Sequence, residues 1–289
     1  MLEINNITKT YGNKKALDDF SMNIAKGEIV GLIGKNGAGK TTILNCLSGS
    51  ILADEGEIKF NGEVLTADSK IRNTFGFLVD GTFCDYLNAY ENLKLLCYAS
   101  GIKDIKIINK KIDNVLQIVG LENQKKSYVG SFSFGMKQRL SLAQALLNST
   151  NMLILDEPLV GLDSMGRELV KNLIKQKAKE GILVLFSDHN LQEVQSLSDR
   201  IVCIDKGVKI YDDVFCEKQE YIINIKQQSN FNPTCISSII SENVVFSENN
   251  ILVNNKNKLN EVLTCLIQNQ IIIDDIVIRE DGLIRFFNE

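Results

Sequence analysis

The 289-residue chain has little of what several protein classes require. Its 32 basic and 36 acidic residues give a net charge of −4 at pH 7, so it lacks the basic excess with which nucleic-acid-binding proteins neutralise phosphates. Its apolar runs, such as IVGLIG, MLIL and GILVLF, are far shorter than the ~18 residues that a membrane span needs. We therefore expect a globular protein that does not bind nucleic acid and does not itself cross a membrane.

The chain also lacks the cysteine spacing of a metal site. Its seven cysteines include no CxxC pair and lie mostly among apolar residues, which predicts reduced, buried thiols. The opening segment, MLEINNITKT, has no basic stretch followed by an apolar one, the pattern of a secretory signal. Both features predict a cytoplasmic protein.

What the chain does have is an alternation of short apolar runs and helix-like segments. EIVGLIG (28–34), NMLILDEP (151–158) and GILVLFSDH (181–189) are largely unbroken apolar runs, which is typical of strands in a parallel sheet covered on both faces. From about 85 to 145, apolar residues recur at helical spacing instead. The pattern predicts an α/β domain over 1–215 with an inserted helical lobe.

From residue 216 the composition changes, and Asn and Ile dominate. The segments YIINIK, PTCISSII, NVVFSE, ILVNN, KLNEVLTCLIQNQ and IIIDDIVIRE indicate the order strand, helix, strand, strand, helix, strand. This βαββαβ order predicts a small α+β accessory domain over 216–289, with a ferredoxin-like fold as the first candidate.

The clearest chemical motif is GKNGAGKTT (34–42), which fits the phosphate-loop pattern Gly-x4-Gly-Lys-[Ser/Thr] between a predicted strand and a predicted helix. The glycines let backbone amides point at phosphates, and the helix N-terminus favours an anion. Lys40 is expected to contact the β- and γ-phosphates, and the Thr41 hydroxyl to ligate Mg²⁺. A flexible glycine turn is the alternative. The predicted nucleotide-binding residues of this loop are Gly34, Lys35, Asn36, Gly37, Ala38, Gly39, Lys40, Thr41 and Thr42.

Polar residues end two further predicted strands, where ligands bind in open α/β sheets. Asp156 and Glu157 follow MLIL; the first is a predicted Mg²⁺ ligand and the second the general base that polarises the attacking water. His189, the only histidine, follows ILVLF and is predicted to hydrogen-bond the γ-phosphate and orient the catalytic groups. The alternatives are a solvated turn for the acids and a structural role for the histidine.

In order, Tyr11, GKNGAGKTT, FLVDG, SFSFGMKQRL, MLILDEP, VGLDS and SDH resemble the motifs of ATP-binding cassette (ABC) transporter ATPase subunits. They span roughly residues 1–215, and their order and spacing together are highly specific. The resemblance implies a P-loop NTPase cassette that binds ATP and Mg²⁺ and hydrolyses ATP. In this family two cassettes are arranged head to tail, so the signature segment of one completes the phosphate loop of the other.

The resemblance assigns further residues one at a time. Ser133, Gly135 and Met136 correspond to the signature segment that acts on the partner's nucleotide, with Ser133 and Gly135 donating to the γ-phosphate; a plain helix cap by Ser133 is compatible with this role. Tyr11 resembles the aromatic that stacks on adenine, the alternative being a partly buried residue of an N-terminal hairpin. Asp163 resembles the acid that links the two sites, the alternative being a helix N-cap.

Two departures from the family pattern point to a subgroup. Asp80 stands where the family usually has a Gln after the GFL strand and where exporters for bacitracin and lantibiotic self-protection have Glu, so its contact with the metal is expected to be indirect. The signature is FSFGM instead of Leu-Ser-Gly-Gly-Gln. Both features resemble the antibiotic-peptide and drug-export subgroup, and imply a cassette held at the inner face of the cell membrane by a separate permease.

The permease contact is expected near Asp80 and GTFCDYLNAYENL, where Phe83, Tyr86 and Tyr90 either line a groove for a permease helix or pack the helical lobe. Two rival functions remain: a soluble ABC protein acting on ribosomes or DNA, and a regulatory cassette that does not hydrolyse ATP. The single cassette and the absence of a heptad arm and a basic patch weigh against the first.

Overall fold

The computed structural model of the chain divides into two compact units, Met1–Phe215 and Cys216–Glu289. The residues that the structure describes are 1–79, 82–214, 220–226, 244–247, 250–253, 256–269 and 271–279.

The first unit contains two sheets and six α-helices within its described residues. In chain order its elements are β1 (Leu2–Tyr11), β2 (Lys14–Ile24), β3 (Ile29–Ile33), α1 (Lys40–Ser48), β4 (Glu55–Phe60), β5 (Glu63–Val64), β6 (Phe75–Leu78), α2 (Ala89–Ala99), α3 (Ile105–Ile118), α4 (Phe134–Asn148), β7 (Met152–Asp156), α5 (Ser164–Lys179), β8 (Leu183–Asp188), α6 (Leu191–Leu197), β9 (Arg200–Asp205) and β10 (Val208–Val214).

The larger sheet has the strand order β10-β9-β3-β8-β7-β6. All neighbours are parallel except β10, which runs antiparallel to β9. Every residue of β3 and β8 is buried, as expected for strands covered on both faces. The predicted, mostly parallel sheet is confirmed. Because β3, β8 and β7 are parallel neighbours, the segments that follow them leave the sheet at the same edge.

The smaller sheet is antiparallel, with the order β2-β1-β4-β5. The sequence predicts only an N-terminal hairpin here, and that hairpin is formed by β1 and β2 around Gly12. Phe20, Leu44, Ile58 and Val202 belong to one buried cluster, so both sheets and α1 share a hydrophobic core. This shared core holds α1, which follows the phosphate loop, in a fixed position.

The helical lobe contains α2 and α3, which pack against α4. Asn88 and Glu91 form a capping box at the start of α2, and Asp104 caps α3. The buried face of α3 includes Ile108 and Ile112, four residues apart, which is the spacing of an amphipathic helix. The inserted helical lobe predicted from apolar spacing is confirmed.

The second unit contains an antiparallel sheet and one described helix. Its elements are β11 (Glu220–Ile225), β12 (Val244–Ser247), β13 (Asn250–Val253), α7 (Lys256–Gln268) and β14 (Ile273–Arg279), and its strand order is β12-β13-β11-β14. Side chains of the sheet and of α7, including Ile223, Ile251, Val262 and Leu266, form its own core. The small α+β domain is confirmed. The predicted helix PTCISSII (233–240) lies outside the described residues, so the ferredoxin-like fold stays a prediction.

The prediction of buried thiols is confirmed for three of the described cysteines and is wrong for Cys84 and Cys265, which are half-buried. Cys46, Cys97 and Cys203 are buried, and burial raises the pKa of Cys46 and of Cys203 to about 11. Cys216 and Cys235 lie outside the described residues. Within the described part of the chain, no helix combines the length and the apolar character that crossing a membrane requires.

Candidate nucleotide-binding site

The phosphate loop connects β3 to α1 in a conformation that requires glycine. Gly37 and Gly39 have φ values of 79° and 117°, and a Cβ on Gly39 would lie 2.6 Å from the carbonyl oxygen of Ala16. No side chain caps the start of α1, which begins at Lys40. The first amides of the helix are therefore free to bind an anion.

Lys40 is held against the loop that precedes it. Its side chain is buried, and Nζ donates to the carbonyl oxygens of Gly34 at 2.6 Å and Lys35 at 3.4 Å. Both acceptors are neutral carbonyls, so a bound phosphate would supply the opposite charge that a buried ammonium group favours.

Asp156, at the end of β7, joins the phosphate loop to the neighbouring strand. Thr41 Oγ1 donates to Asp156 Oδ2 at 2.9 Å, and the Ser187 hydroxyl donates to the other carboxylate oxygen. Thr41 and Asp156 thus place a hydroxyl and a carboxylate side by side, which is the hard oxygen chemistry that Mg²⁺ prefers. Among the described residues, no three His, Cys, Asp or Glu side chains form a metal cluster. Nucleotide phosphates would therefore be the remaining ligands of a Mg²⁺ ion bound here.

Glu157 has a backbone conformation that is rare for a residue with a side chain. Its φ is 46°, and its N–H lies 3.2 Å from the carbonyl oxygen and 3.1 Å from the hydroxyl of Ser187. Such strain persists where the surroundings fix it, and it is common at functional sites. The Glu157 carboxylate lies 3.6 Å from Nδ1 of His189, and the His189 side chain is 60% exposed.

Ser187 and Asp188, which precede His189 on β8, were not among the predicted site residues. Ser187 is fully buried and contacts both Asp156 and Glu157. Asp188 is also buried, accepts a hydrogen bond from the N–H of Asn190 at 2.8 Å, and has its pKa raised by that burial. The sequence contains a signal that could have identified both residues, because they are polar and end an apolar run.

The signature segment forms the start of α4. Ser133 is the N-cap, with Oγ accepting from the N–H of Met136 at 3.3 Å, so the predicted cap is confirmed. Ser133 is exposed, and Gly135 and Met136 are half-buried. Asp163 likewise caps α5 by accepting from the N–H of Gly166 at 2.8 Å.

An open cavity of about 830 Å³ joins the phosphate loop to the ends of the strands and to α4. Tyr11 lines it and is 45% exposed, which leaves its ring accessible to a ligand. The volume lies within the usual range for ligand sites. Lys14 and Gln138 also line the cavity and were missed, and Gln138 Nε2 donates to the carbonyl oxygen of Glu157 at 3.2 Å.

The residues expected at a permease contact differ in their surroundings. Tyr90 belongs to the lobe, because its hydroxyl donates to Asn109 at 2.6 Å and Lys125 Nζ lies 4.9 Å from its ring centre. Tyr86 is 77% exposed, and Phe83 is half-buried in the cavity wall. Asp80, predicted as an indirect Mg²⁺ ligand, lies outside the described residues.

Comparison with known proteins places this geometry in a family. The family model described as ABC transporter matches residues 17–160. The bacitracin transport ATP-binding protein BcrA of Bacillus licheniformis is 39% identical over 217 residues, which cover 74% of this chain and 69% of BcrA. The chain belongs to the ABC transporter family. The lantibiotic transport ATP-binding protein SrtF of Streptococcus pyogenes is 38% identical over 207 residues, or 72% of this cassette chain and 88% of SrtF.

Solved structures show the same fold. The dimeric post-hydrolysis state of the ATP-binding cassette MJ0796, bound to ADP and Pi, matches with a TM-score of 0.69 and 28% identity. The match covers 74% of this chain and 98% of that one. The first unit is therefore an ABC ATPase cassette, and the prediction of an ATP-hydrolysing enzyme is confirmed.

Proposed function

We propose that this ABC ATPase powers the export of an antimicrobial peptide or drug through a separate membrane permease. The observation that carries its catalytic part is the meeting of Thr41, Asp156, Glu157 and His189 beside the phosphate loop. The export part is supported by relatives named for bacitracin and lantibiotic transport. Asp80 and the FSFGM signature point to the same subgroup.

The first step is the binding of ATP. The amides of residues 34–42 and the ammonium group of Lys40 hold the β- and γ-phosphates, while adenine stacks on the accessible ring of Tyr11. Thr41 and Asp156 would hold Mg²⁺, with Asp80 acting indirectly, and the ion would neutralise charge on the phosphates. Ser187 orients Asp156 for this role.

Hydrolysis uses the exposed pair next to this site. The Glu157 carboxylate accepts a proton from the attacking water, whose oxygen forms the new bond to the γ-phosphorus as the bond to the ADP oxygen breaks. His189 hydrogen-bonds the γ-phosphate and orients these groups; its 3.6 Å separation from Glu157, which lines the cavity, supports this role. The products are ADP and phosphate.

A second copy of the chain completes each site. Ser133, Gly135 and Met136 lie at an accessible helix start, where Ser133 and Gly135 donate to the γ-phosphate bound by the partner. Asp163, at the start of α5, links the two sites. ATP closes the two cassettes on each other and hydrolysis releases them, so that the γ-phosphate controls a large motion. The permease, contacted near Phe83 and Tyr86, uses that motion and holds the cassettes at the inner face of the membrane.

Replacement of Glu157 with Gln tests the catalytic part. With Mg²⁺ and ATP, Glu157→Gln is expected to lose hydrolysis by roughly 100-fold or more and to accumulate as a dimer, because ATP stays bound. Light scattering after gel filtration measures the dimer, and Glu122→Gln, an exposed position in the lobe, is the matched control. Unchanged turnover, or a variant that remains monomeric in ATP, would contradict the proposal.

Affinity purification of the full chain from solubilised membranes tests the partner. Recovery of a polytopic permease in stoichiometric amount supports export. Recovery with ribosomes alone would instead support the rival function of a soluble ABC protein.

A further inference from the structure

A phenylalanine at the start of α4 packs on a glycine in the segment that follows β7. Phe134 is 64% exposed, yet one edge of its ring lies against Gly161. A Cβ atom at Gly161 would overlap this edge, at 1.9 Å from Cε1. Gly161 has a φ of 73°, a backbone conformation that other residues adopt only with strain. Gly161 therefore supplies both the turn and the space that the ring fills.

The same two segments meet at two more points. A Cβ on Gly135 would lie 3.3 Å from the carbonyl oxygen of Gly161, so the backbones approach closely there. Gln138 donates to the carbonyl oxygen of Glu157 at 3.2 Å. The first turn and a half of α4 thus contacts the chain at Glu157 and again at Gly161, two residues before the Asp163 cap.

We propose that Phe134 is a positioning residue for ATP hydrolysis. By packing on Gly161 it holds residues 157–163 against α4, and so fixes where the Glu157 carboxylate points. A close-packed contact of this kind transmits a displacement of α4 directly to residues 157–163. The helix start that faces the partner's nucleotide is thereby connected to the base that acts on its own nucleotide. The inference rests on the proposed role of Glu157.

The first test measures steady-state ATP hydrolysis by the full chain carrying Phe134→Ala. We expect kcat to fall roughly tenfold with KM for ATP within about twofold, because the base is misplaced while the phosphate loop is untouched. Phe134→Leu, which still covers Gly161, should restore most of kcat. Tyr128→Ala is the matched control, since Tyr128 is also an aromatic residue of 64% exposure near the start of α4.

A double-mutant cycle tests the contact itself. Gly161→Ala should lower kcat more than Phe134→Ala does, because it introduces both backbone strain and overlap with the ring. Adding Phe134→Ala to Gly161→Ala removes the overlap, so the double variant should be more active than Gly161→Ala alone. Losses that simply multiply would overturn the proposal.

Other outcomes separate this inference from the proposed function. If Phe134→Ala keeps kcat within about twofold, or raises KM with kcat unchanged, Phe134 does not position the base. If Phe134→Ala behaves in this way while Glu157→Gln abolishes hydrolysis in the same assay, the inference about Phe134 is overturned and the proposed role of Glu157 stands. If Glu157→Gln hydrolyses ATP normally, the proposed base is wrong and the inference fails with it.

Discussion

The phosphate loop and the start of α4 both present backbone amides at a helix N-terminus, but their polar groups are used differently. Around the loop, Lys40 bonds to carbonyls of its own loop and Thr41 bonds to Asp156 on the next strand. At α4, Ser133 forms a local cap and is otherwise exposed, beside the exposed ring of Phe134. The phosphate loop is therefore organised by contacts within the cassette, whereas Ser133 makes only a local cap, which agrees with the role we propose for it on a partner's nucleotide.

Complementation of two inactive variants is the strongest test of this difference between the phosphate loop and the signature segment. Lys40→Ala disables the phosphate loop and Ser133→Arg disables the signature, so each homodimer should lose roughly 100-fold or more in turnover. A mixed dimer contains one intact loop facing one intact signature, and turnover should return on mixing, as measured by phosphate release.

The control for complementation carries both substitutions in one chain. Mixed with Lys40→Ala, this double variant leaves every phosphate loop defective and should restore nothing. If the mixture of single variants also stays inactive, or if Ser133→Arg alone hydrolyses ATP normally, the signature does not act on a partner's nucleotide.

Ser187→Ala tests the contacts around the phosphate loop and should have a smaller effect on turnover. It removes the hydroxyl that donates to Asp156 and contacts the amide of Glu157, which loosens the organised side of the site. We expect kcat to fall about tenfold, as for other residues that orient a metal ligand. The Mg²⁺ concentration that gives half-maximal turnover should rise. Ser69→Ala, which removes a hydroxyl in the loop after β5, is the control. If Ser187→Ala and Ser69→Ala depend on Mg²⁺ in the same way, Ser187 does not have this role.

Asp188→Asn should give the smallest effect, on stability. Burial raises the pKa of Asp188, so its contribution to stability is complete below the unfolded pKa and is lost as pH rises through the folded pKa. Above the folded pKa the ionised carboxylate is therefore unfavourable. An amide oxygen can still accept from Asn190, so the variant should melt about 2 °C higher at pH 7. The difference should narrow as pH falls towards 4, and a difference independent of pH would contradict the assignment.

Much of the site follows from local sequence. The glycines of the phosphate loop and the acids at the end of β7 were predicted where the structure has them, and the caps at Ser133 and Asp163 were named as alternative roles. Each depends on a backbone conformation or helix start set by a few adjacent residues. Ser187, Gln138 and the contact of Phe134 with Gly161 were missed. Each acts on a residue at least nineteen positions away, and no local pattern indicates such a contact.

The sequence by itself determined that residues 28–34, 151–158 and 181–189 form buried strands, that a helical lobe begins near residue 85, and where the chain bends to admit phosphates. Periodicity and glycine position report burial and backbone freedom. Only the tertiary structure decided that Thr41 meets Asp156, 115 residues later, and that Glu157 lies against Ser187. Those meetings depend on the order β3-β8-β7 within the sheet. An apolar run specifies that a strand is covered on both faces, but its neighbours are chosen by the packing of the whole core.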